Sequence, residues 1–240
     1  MKPISFKRHR FPPAIIRHAI WLYARFTLSF RDMEELLAER GVDASYETVR
    51  RWFLKFGPSI AANIRRSRPR PSDHWHLDEM VISIRSDKYW LWRAVDNEGE
   101  VLDFLVQRRR NAQAAKKLMV KLLKKQGFAP NRVVTDRLRS YPAAFRAIGL
   151  TAEHDRGLRA NNRAENSHQP IRRRERKLQR FKSLGSAQRF LAVHAATFNV
   201  FTHQRHLLLR PNVKELRAAS FSTWAAASAT ACSRCPLHSQ

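Results

Sequence analysis

Cysteine is almost missing from this chain: there are two in 240 residues, Cys232 and Cys235, both at the extreme C-terminal end. That excludes a disulfide framework for the folded part and fits a reducing compartment. The Cys-x-x-Cys spacing is followed by His238 but lacks a fourth ligand and sits in an Ala/Ser-rich tail, so it is not read as a zinc site. Long apolar runs are missing too. The most apolar helical stretch, Ala14 to Phe26, is interrupted by Arg17 and Arg25 and is too short to span a bilayer. The N-terminus is charged and lacks the apolar segment of a signal peptide. The expectation is a soluble, cytoplasmic protein with no membrane partner.

Acidic residues are the other scarcity. Twenty acids stand against 46 lysines and arginines, a net charge of +26. The basic residues are spread along the whole chain rather than gathered in one tail, and a surface of that kind suits a polyanion. A hydrophobic content of 43% supports a normal core and excludes a disordered polycation. A ribosomal or chromatin-type binder and a DNA enzyme both remain compatible with the charge.

Residues 1–10 carry Lys2, Lys7, Arg8, His9 and Arg10 and read as a flexible basic arm. Pro12-Pro13 suits a helix start, and Ile16, Ile20, Tyr23 and Phe26 follow at helical spacing. A second helix is expected from Arg31 to Arg40, closed by Gly41. Ser45 is placed to cap a third, Tyr46 to Phe56, with Val49, Trp52, Phe53 and Phe56 inward. Tyr46, Glu47, Arg50 and Arg51 would then form an outer face. This is the pattern of a helix-turn-helix DNA reader; the alternative is a three-helix bundle with a solvated basic face. The expected organisation is a helix-turn-helix domain at 1–63, a basic proline-containing linker at 64–73, a catalytic domain at 74–210 and a weakly patterned segment at 211–240.

Beyond the linker the hydrophobic period changes. Trp75–Ile84, Tyr89–Asp96 and Val101–Arg108 read as strands joined by short polar links, hence an antiparallel meander. Asn111 should cap a helix through Gln126, ended by Gly127. Arg132–Asp136 is then a strand reached by the crossover expected between parallel neighbours. A short helix at Tyr141–Ile148, a strand at Thr151–His154, a long basic helix from about Asn162 that Pro170 should kink or delay, and a helix at Ala187–His206 follow. At most one more short helix is expected past Val213. The fold class is α/β: a mixed sheet flanked by helices, preceded by an all-α domain.

In so basic a chain, three acids draw notice. Asp78 lies near the start of the first strand, Asp136 ends the fourth, and Glu165 lies near the start of the long basic helix. If the two strands are neighbours, their carboxylates face each other and repel unless a cation intervenes. Oxygen-only ligands favour magnesium, or manganese in its place, and such ions serve in-line phosphoryl displacement. Strand alternation sends Glu79 to the face opposite Asp78. Asp96 reads as a hairpin residue and Asp103 as a partner for a cross-meander salt bridge. Glu165 also has a plain alternative, pairing with Arg172.

The runs Trp75-His76-Leu77-Asp78-Glu79, Trp90-Leu91-Trp92-Arg93-Ala94-Val95-Asp96, Thr135-Asp136-Arg137-Leu138-Arg139-Ser140-Tyr141 and Asn161-Asn162-Arg163-Ala164-Glu165-Asn166 resemble bacterial insertion-sequence DDE transposases, closest to the IS-six (IS240-like) family. The resemblance runs from about Phe6 to Trp224 and includes the helix-turn-helix. It implies an RNase H-like catalytic domain in which Asp78, Asp136 and Glu165 are catalytic and hold magnesium. It also implies binding of terminal inverted repeats, cleavage at the element's 3′ ends and strand transfer into target DNA, by a homo-oligomer acting on paired ends beside the nucleoid. Two departures stand out. The Asp136–Glu165 interval is shorter than the family's usual spacing, read as a trimmed loop around Gly149–Ala160, and the tail after Trp224 does not look like a family C-terminus.

If the acids mark the cleft, Arg137, Arg139, Arg163, Arg172, Arg173, Arg174 and Lys177 would line a DNA groove. His154 and Arg156, on the approach to Glu165, are either DNA contacts or a strand-end histidine and a solvated arginine. Trp90 and Trp92 read as core residues rather than base-stacking platforms.

Overall fold

A computed structural model describes residues 1–157, 160–203 and 208–230. Cys232, Cys235 and His238 lie outside the described residues. The chain forms two compact units, one of Met1–Arg68 with the described residues from Leu191 onward, the other of Pro69–Phe190.

The first unit is helical. Helix α1 (Pro13–Arg25) starts with proline in its first turn, where the missing N–H costs nothing. Helix α2 (Phe30–Ala38) opens on a capping box in which Ser29 and Asp32 satisfy each other's backbone N–H groups. Helix α3 (Tyr46–Ser67) is capped by Ser45 and runs well past the expected end at Phe56. Gly57-Pro58 reads as a break, yet Ile60, Ala61 and Ile64 continue the buried stripe and hold the helix together through the proline. Residues 64–67, expected as linker, are therefore helical. Helix α8 (Arg210–Ala227) is longer than the short helix expected there, and packs against α3.

The N-terminal arm is a second departure. Ile4 and Phe6 are buried, Phe6 packs 4.5 Å from the Phe56 ring, and Ile4 bridges to Thr230. Asn63 ties both ends of the chain segment, accepting from the Lys2 N–H and donating to the carbonyls of Lys2 and Ala227. The apolar pair Ile4 and Phe6, separated by one residue and both buried, decides the placement of the arm despite its charge.

The second unit is built on a five-stranded sheet in the order β3-β2-β1-β4-β5. Strands β1 (His74–Ile84), β2 (Asp87–Asp96) and β3 (Val101–Gln107) form the expected meander. Helix α4 (Ala112–Gln126) crosses over to β4 (Arg132–Thr135), which pairs parallel with β1, and β5 (Glu153–Asp155) pairs parallel with β4. Asn111 caps α4 through the Ala114 N–H, and Gly127 ends it at φ +74°, which a side chain would resist. Only β2 opposes the others within this sheet, and the mixed sheet with flanking helices is the RNase H-like arrangement expected.

One face of the sheet, carrying Trp75, Leu77, Trp92 and Ala94, packs on α4 and on α5 (Ser140–Arg146) through Leu118, Met119, Leu122, Tyr141 and Phe145. Truncating Leu77, fully buried there, should cost about 2–5 kcal/mol. Helix α6 (Asn162–Lys177) packs on β1 and β2, and α7 (Leu184–Phe201) follows. Pro170 does not delay the start of α6, which is helical from Asn162 with the proline inside it.

Candidate active site

The parallel register of β1 and β4 ends at Leu77↔Thr135. The next residue on each strand is an acid, Asp78 on β1 and Asp136 just past β4. Asp78, Glu79 and Asp136 each offer a carboxylate oxygen, and these lie within 4.8 Å of one another. The condition set by the sequence, that the two strands be neighbours, is met.

Asp78 faces α6. Burial, then the charges of Glu79, Asp136 and Glu165, push its carboxyl up to about 7. His168 of α6, 3% exposed, brings Nδ1 to 3.4 Å from Asp78 Oδ2. Burial, Arg93 and Arg172 hold that imidazole down to about 3, so the ring is neutral and the contact is not an ion pair. Its Nε2 is buried without a partner among the described residues. Arg93, opposite Asp78 on β2, is buried beneath it, and burial lowers its guanidinium to about 9.

Glu79 points to the other face, as alternation requires, but it is not remote from the acids. Its side chain is fully buried; the Tyr141 hydroxyl donates to Oε2 at 2.7 Å and Arg110 Nε to Oε1 at 2.7 Å. Glu79 is thus already paired with a cation, whereas Asp78 is left among like charges.

Glu165 sits in the first turn of α6, exposed, and is not part of the three-acid cluster. It is near enough that its charge helps raise Asp78. Its helix is fastened to β1 at several points: Asn161 Nδ2 donates to the Leu77 carbonyl at 2.9 Å, His168 meets Asp78, and Glu175 accepts from the Ser83 N–H. The position of Glu165 relative to Asp78 is set by these ties. None of Glu79, Arg110, Asn161 or His168 was singled out by sequence as a site residue. A Glu-x-x-His spacing in the first turns of the helix, which puts both side chains on one face, was the available signal for His168.

The remaining candidates divide. Arg137, Arg139, Arg163, Arg172, Arg173 and Lys177 are exposed. Arg174 must be withdrawn from a DNA-facing role: it is 1% exposed, with its guanidinium 5.2 Å from the Phe190 ring. The α6 periodicity turns it inward with Ile171. In the helical unit, Tyr46, Arg50 and Arg51 are exposed, and Glu47 binds both arginines, Arg50 at 2.8 Å and Arg51 at 3.4 Å. His154 Nε2 lies 2.8 Å from the Thr135 hydroxyl, and Arg156 is exposed. Asp96 is a hairpin residue, accepting from the N–H groups of Glu98 and Glu100. Asp103 pairs with Lys121 and Lys125 of α4 instead of across the meander. Trp92 is core; Trp90 is only half-buried, with Lys88 and Arg110 each 5.0 Å from its ring.

A family model described as the DDE domain of IS240-type transposases matches residues 72–204. The chain belongs to this family. Among its relatives, the transposase for insertion sequence-like element IS431mec of Staphylococcus aureus is 29% identical over 208 residues, 85% of this chain and 91% of that protein. The transposase for insertion sequence element IS257 in transposon Tn4003, from the same organism, is 28% identical over the same length. Among solved structures, the HTLV-2 integrase catalytic core domain in complex with magnesium aligns with a TM-score of 0.41 at 14% identity, over 55% of this chain and 86% of that one. The chain is a DDE transposase of an insertion sequence, a DNA-binding polynucleotidyl transferase. Among the described residues, no helix of the transposase is long and apolar enough to cross a membrane.

The donor set fits a divalent cation. Two carboxylates held abreast, one raised to about 7 by burial and by its acidic neighbours, form a site whose charge conflict a cation would relieve. Oxygen donors alone match magnesium or manganese better than zinc or copper.

Proposed function

We propose that this transposase binds the terminal inverted repeats of its element, cleaves their 3′ ends and transfers the freed ends into target DNA. Asp78, Asp136 and Glu165 are the catalytic acids and the residues that would hold magnesium, or manganese in its place. The observation that carries this reading is the register of β1 with β4, which sets Asp78, within β1, beside Asp136, just past the end of β4. Glu165 joins from α6, whose N-terminus Asn161 pins to the carbonyl just before Asp78.

When bound, the ion supplies Lewis-acid activation and charge neutralisation at phosphorus. Asp78 and Asp136 contribute fixed carboxylate oxygens, and His168 with the α6 ties limits the orientations open to Asp78. In cleavage, a water oxygen bonds to phosphorus while the bond to the departing 3′-oxygen breaks. In transfer, the freed 3′-hydroxyl oxygen bonds to a target phosphorus while that phosphorus's own bond to its 3′-oxygen breaks. The attacking hydroxyl gives up its proton to solvent, and the departing target oxygen takes one to become a 3′-hydroxyl. The exposed arginines Arg137, Arg139, Arg163, Arg172 and Arg173, with Lys177, carry DNA backbone contacts, and Tyr46, Glu47, Arg50 and Arg51 the repeat contacts. Glu47 sets the reach of both α3 arginines. Two protomers or more assemble on paired ends. The domain division follows the helix-turn-helix segment and the catalytic unit, joined at the prolines Pro69 and Pro71.

The test is a strand-transfer assay with labelled terminal-repeat duplexes and Mg²⁺. Cutting and joining by the wild type, lost in Asp78→Asn, Asp136→Asn and Glu165→Gln, is the expected result. Binding without cutting would mean a helix-turn-helix regulator, and cutting without joining a nuclease; either outcome contradicts the proposal.

A further inference from the structure

Arg110 ends the run Arg108-Arg109-Arg110 and immediately precedes the α4 cap Asn111. Its guanidinium is held on three sides. Nε donates to Glu79 Oε1 at 2.7 Å and Nη2 meets the same oxygen. Nη2 also stands 3.5 Å from Asp136 Oδ2, and the guanidinium lies 5.0 Å from the Trp90 ring. Glu79 in turn is fixed by the Tyr141 hydroxyl, itself fully buried. A guanidinium offers five N–H donors. These contacts engage Nε and Nη2, and Nη1 meets no acceptor among the described residues. The Arg110 side chain keeps 37% exposure, so this edge is open to a ligand.

An immobilised cation beside an acid cluster does two things there. It partly offsets the negative field around the reacting phosphate, and its unengaged Nη1 presents charge-assisted N–H donors to a phosphate oxygen. Burying the carboxylate Glu79 has no packing advantage over an apolar residue unless its partners need orienting. The Tyr141–Glu79–Arg110 chain runs from the core to the mouth of the site, and its only solvent-reaching member is the guanidinium.

We propose that Arg110 is a catalytic residue of the transposase, donating through its open edge to a non-bridging oxygen of the reacting phosphate beside Asp136. The inference rests on the reading of Asp78 and Asp136 as the acids of the site. As the attacking oxygen bonds to phosphorus and the bond to the 3′-oxygen breaks, charge on the non-bridging oxygens is stabilised by the guanidinium. Arg110 gives up no proton; the attacking water's proton goes to solvent, and the departing oxygen takes one to become the 3′-hydroxyl. Glu79 and Tyr141 are positioning residues that hold the fork in place.

Single-turnover cleavage of pre-bound terminal-repeat duplex at saturating Mg²⁺ tests this, with Mn²⁺ affinity, DNA affinity and thermal midpoint measured on the same samples. Arg110→Ala should slow cleavage by about 10²–10³-fold while Mn²⁺ and DNA affinities stay close to wild type. Arg110→Lys, which keeps the charge without the fork, should recover part of the rate. If Arg110→Ala fails to fold, Arg110→Lys decides: a slowed rate at an unchanged thermal midpoint supports the proposal, and a wild-type rate overturns it. A loss of cleavage that merely tracks loss of Mn²⁺ binding also overturns it. Asp136→Asn reads the underlying assignment separately. Retained cleavage in that variant refutes the acid site whatever Arg110 does, whereas a dead Asp136→Asn beside a fully active Arg110→Ala refutes this proposal alone.

Discussion

Asp78 and Glu79 are adjacent in sequence and opposite in circumstance. On the α6 side of β1, Asp78 is half-buried among the charges of Glu79, Asp136 and Glu165, and its carboxyl is pushed up to about 7. On the α4–α5 side, Glu79 is fully buried, yet a tyrosine hydroxyl and a guanidinium satisfy it. A carboxylate with its own partners is part of the fold. One whose charge is left uncompensated destabilises the fold and is available to a cation.

The contrast breaks first in activity. Asp78→Asn should lower strand transfer by on the order of 10³-fold, measured as joined product per bound complex. The same variant should raise the metal-free thermal midpoint, because it removes a repelled acid. Glu79→Ala should behave in the reverse sense on stability. Leaving the Tyr141 hydroxyl and Arg110 without their acceptor should cost about 3 kcal/mol in denaturant unfolding, with Glu79→Gln losing less because it still accepts from Tyr141.

A pH series sharpens the comparison further. The folded value of Asp78, about 7, exceeds its unfolded value of 3.8, so the native state holds the extra proton between them. Its contribution to stability is therefore present at low pH and lost as pH rises through about 7. A divalent ion binds the deprotonated form, so Mg²⁺ should raise the thermal midpoint more at about pH 8 than at about pH 5.5. The smallest effects belong to the arginines. Arg172→Ala or Arg173→Ala should each lower the salt slope of DNA binding by roughly one unit. Arg174→Ala should leave the slope unchanged and lower stability instead, since that side chain is buried on Phe190.

The strands were legible because they follow from local pattern: three alternating runs with short links, then a crossover helix and a fourth run. That the fourth lies beside the first, and so that Asp78 faces Asp136, stood only as a condition and as an implication of the family resemblance, and the register meets it. The partners of Glu79 were not, since Tyr141 lies 62 residues away and only packing brings it to β1. Arg110 could not be told from Arg108 and Arg109 in a uniform basic run, although Arg108 pairs with Asp87 at the far end of the meander. Charge misled in two places. It made the arm at 1–10 look free, when Ile4 and Phe6 are buried, and it made Arg174 look like a groove residue. The third helix, expected to stop at Phe56, runs on to Ser67 because the buried stripe continues through Ile60, Ala61 and Ile64.

Mn²⁺ titration by calorimetry, on wild type, Asp78→Asn and Glu79→Gln, tests the central contrast most directly. Asp78→Asn should abolish binding while Glu79→Gln retains it. Binding retained in Asp78→Asn, or lost in a folded Glu79→Gln, would contradict that contrast.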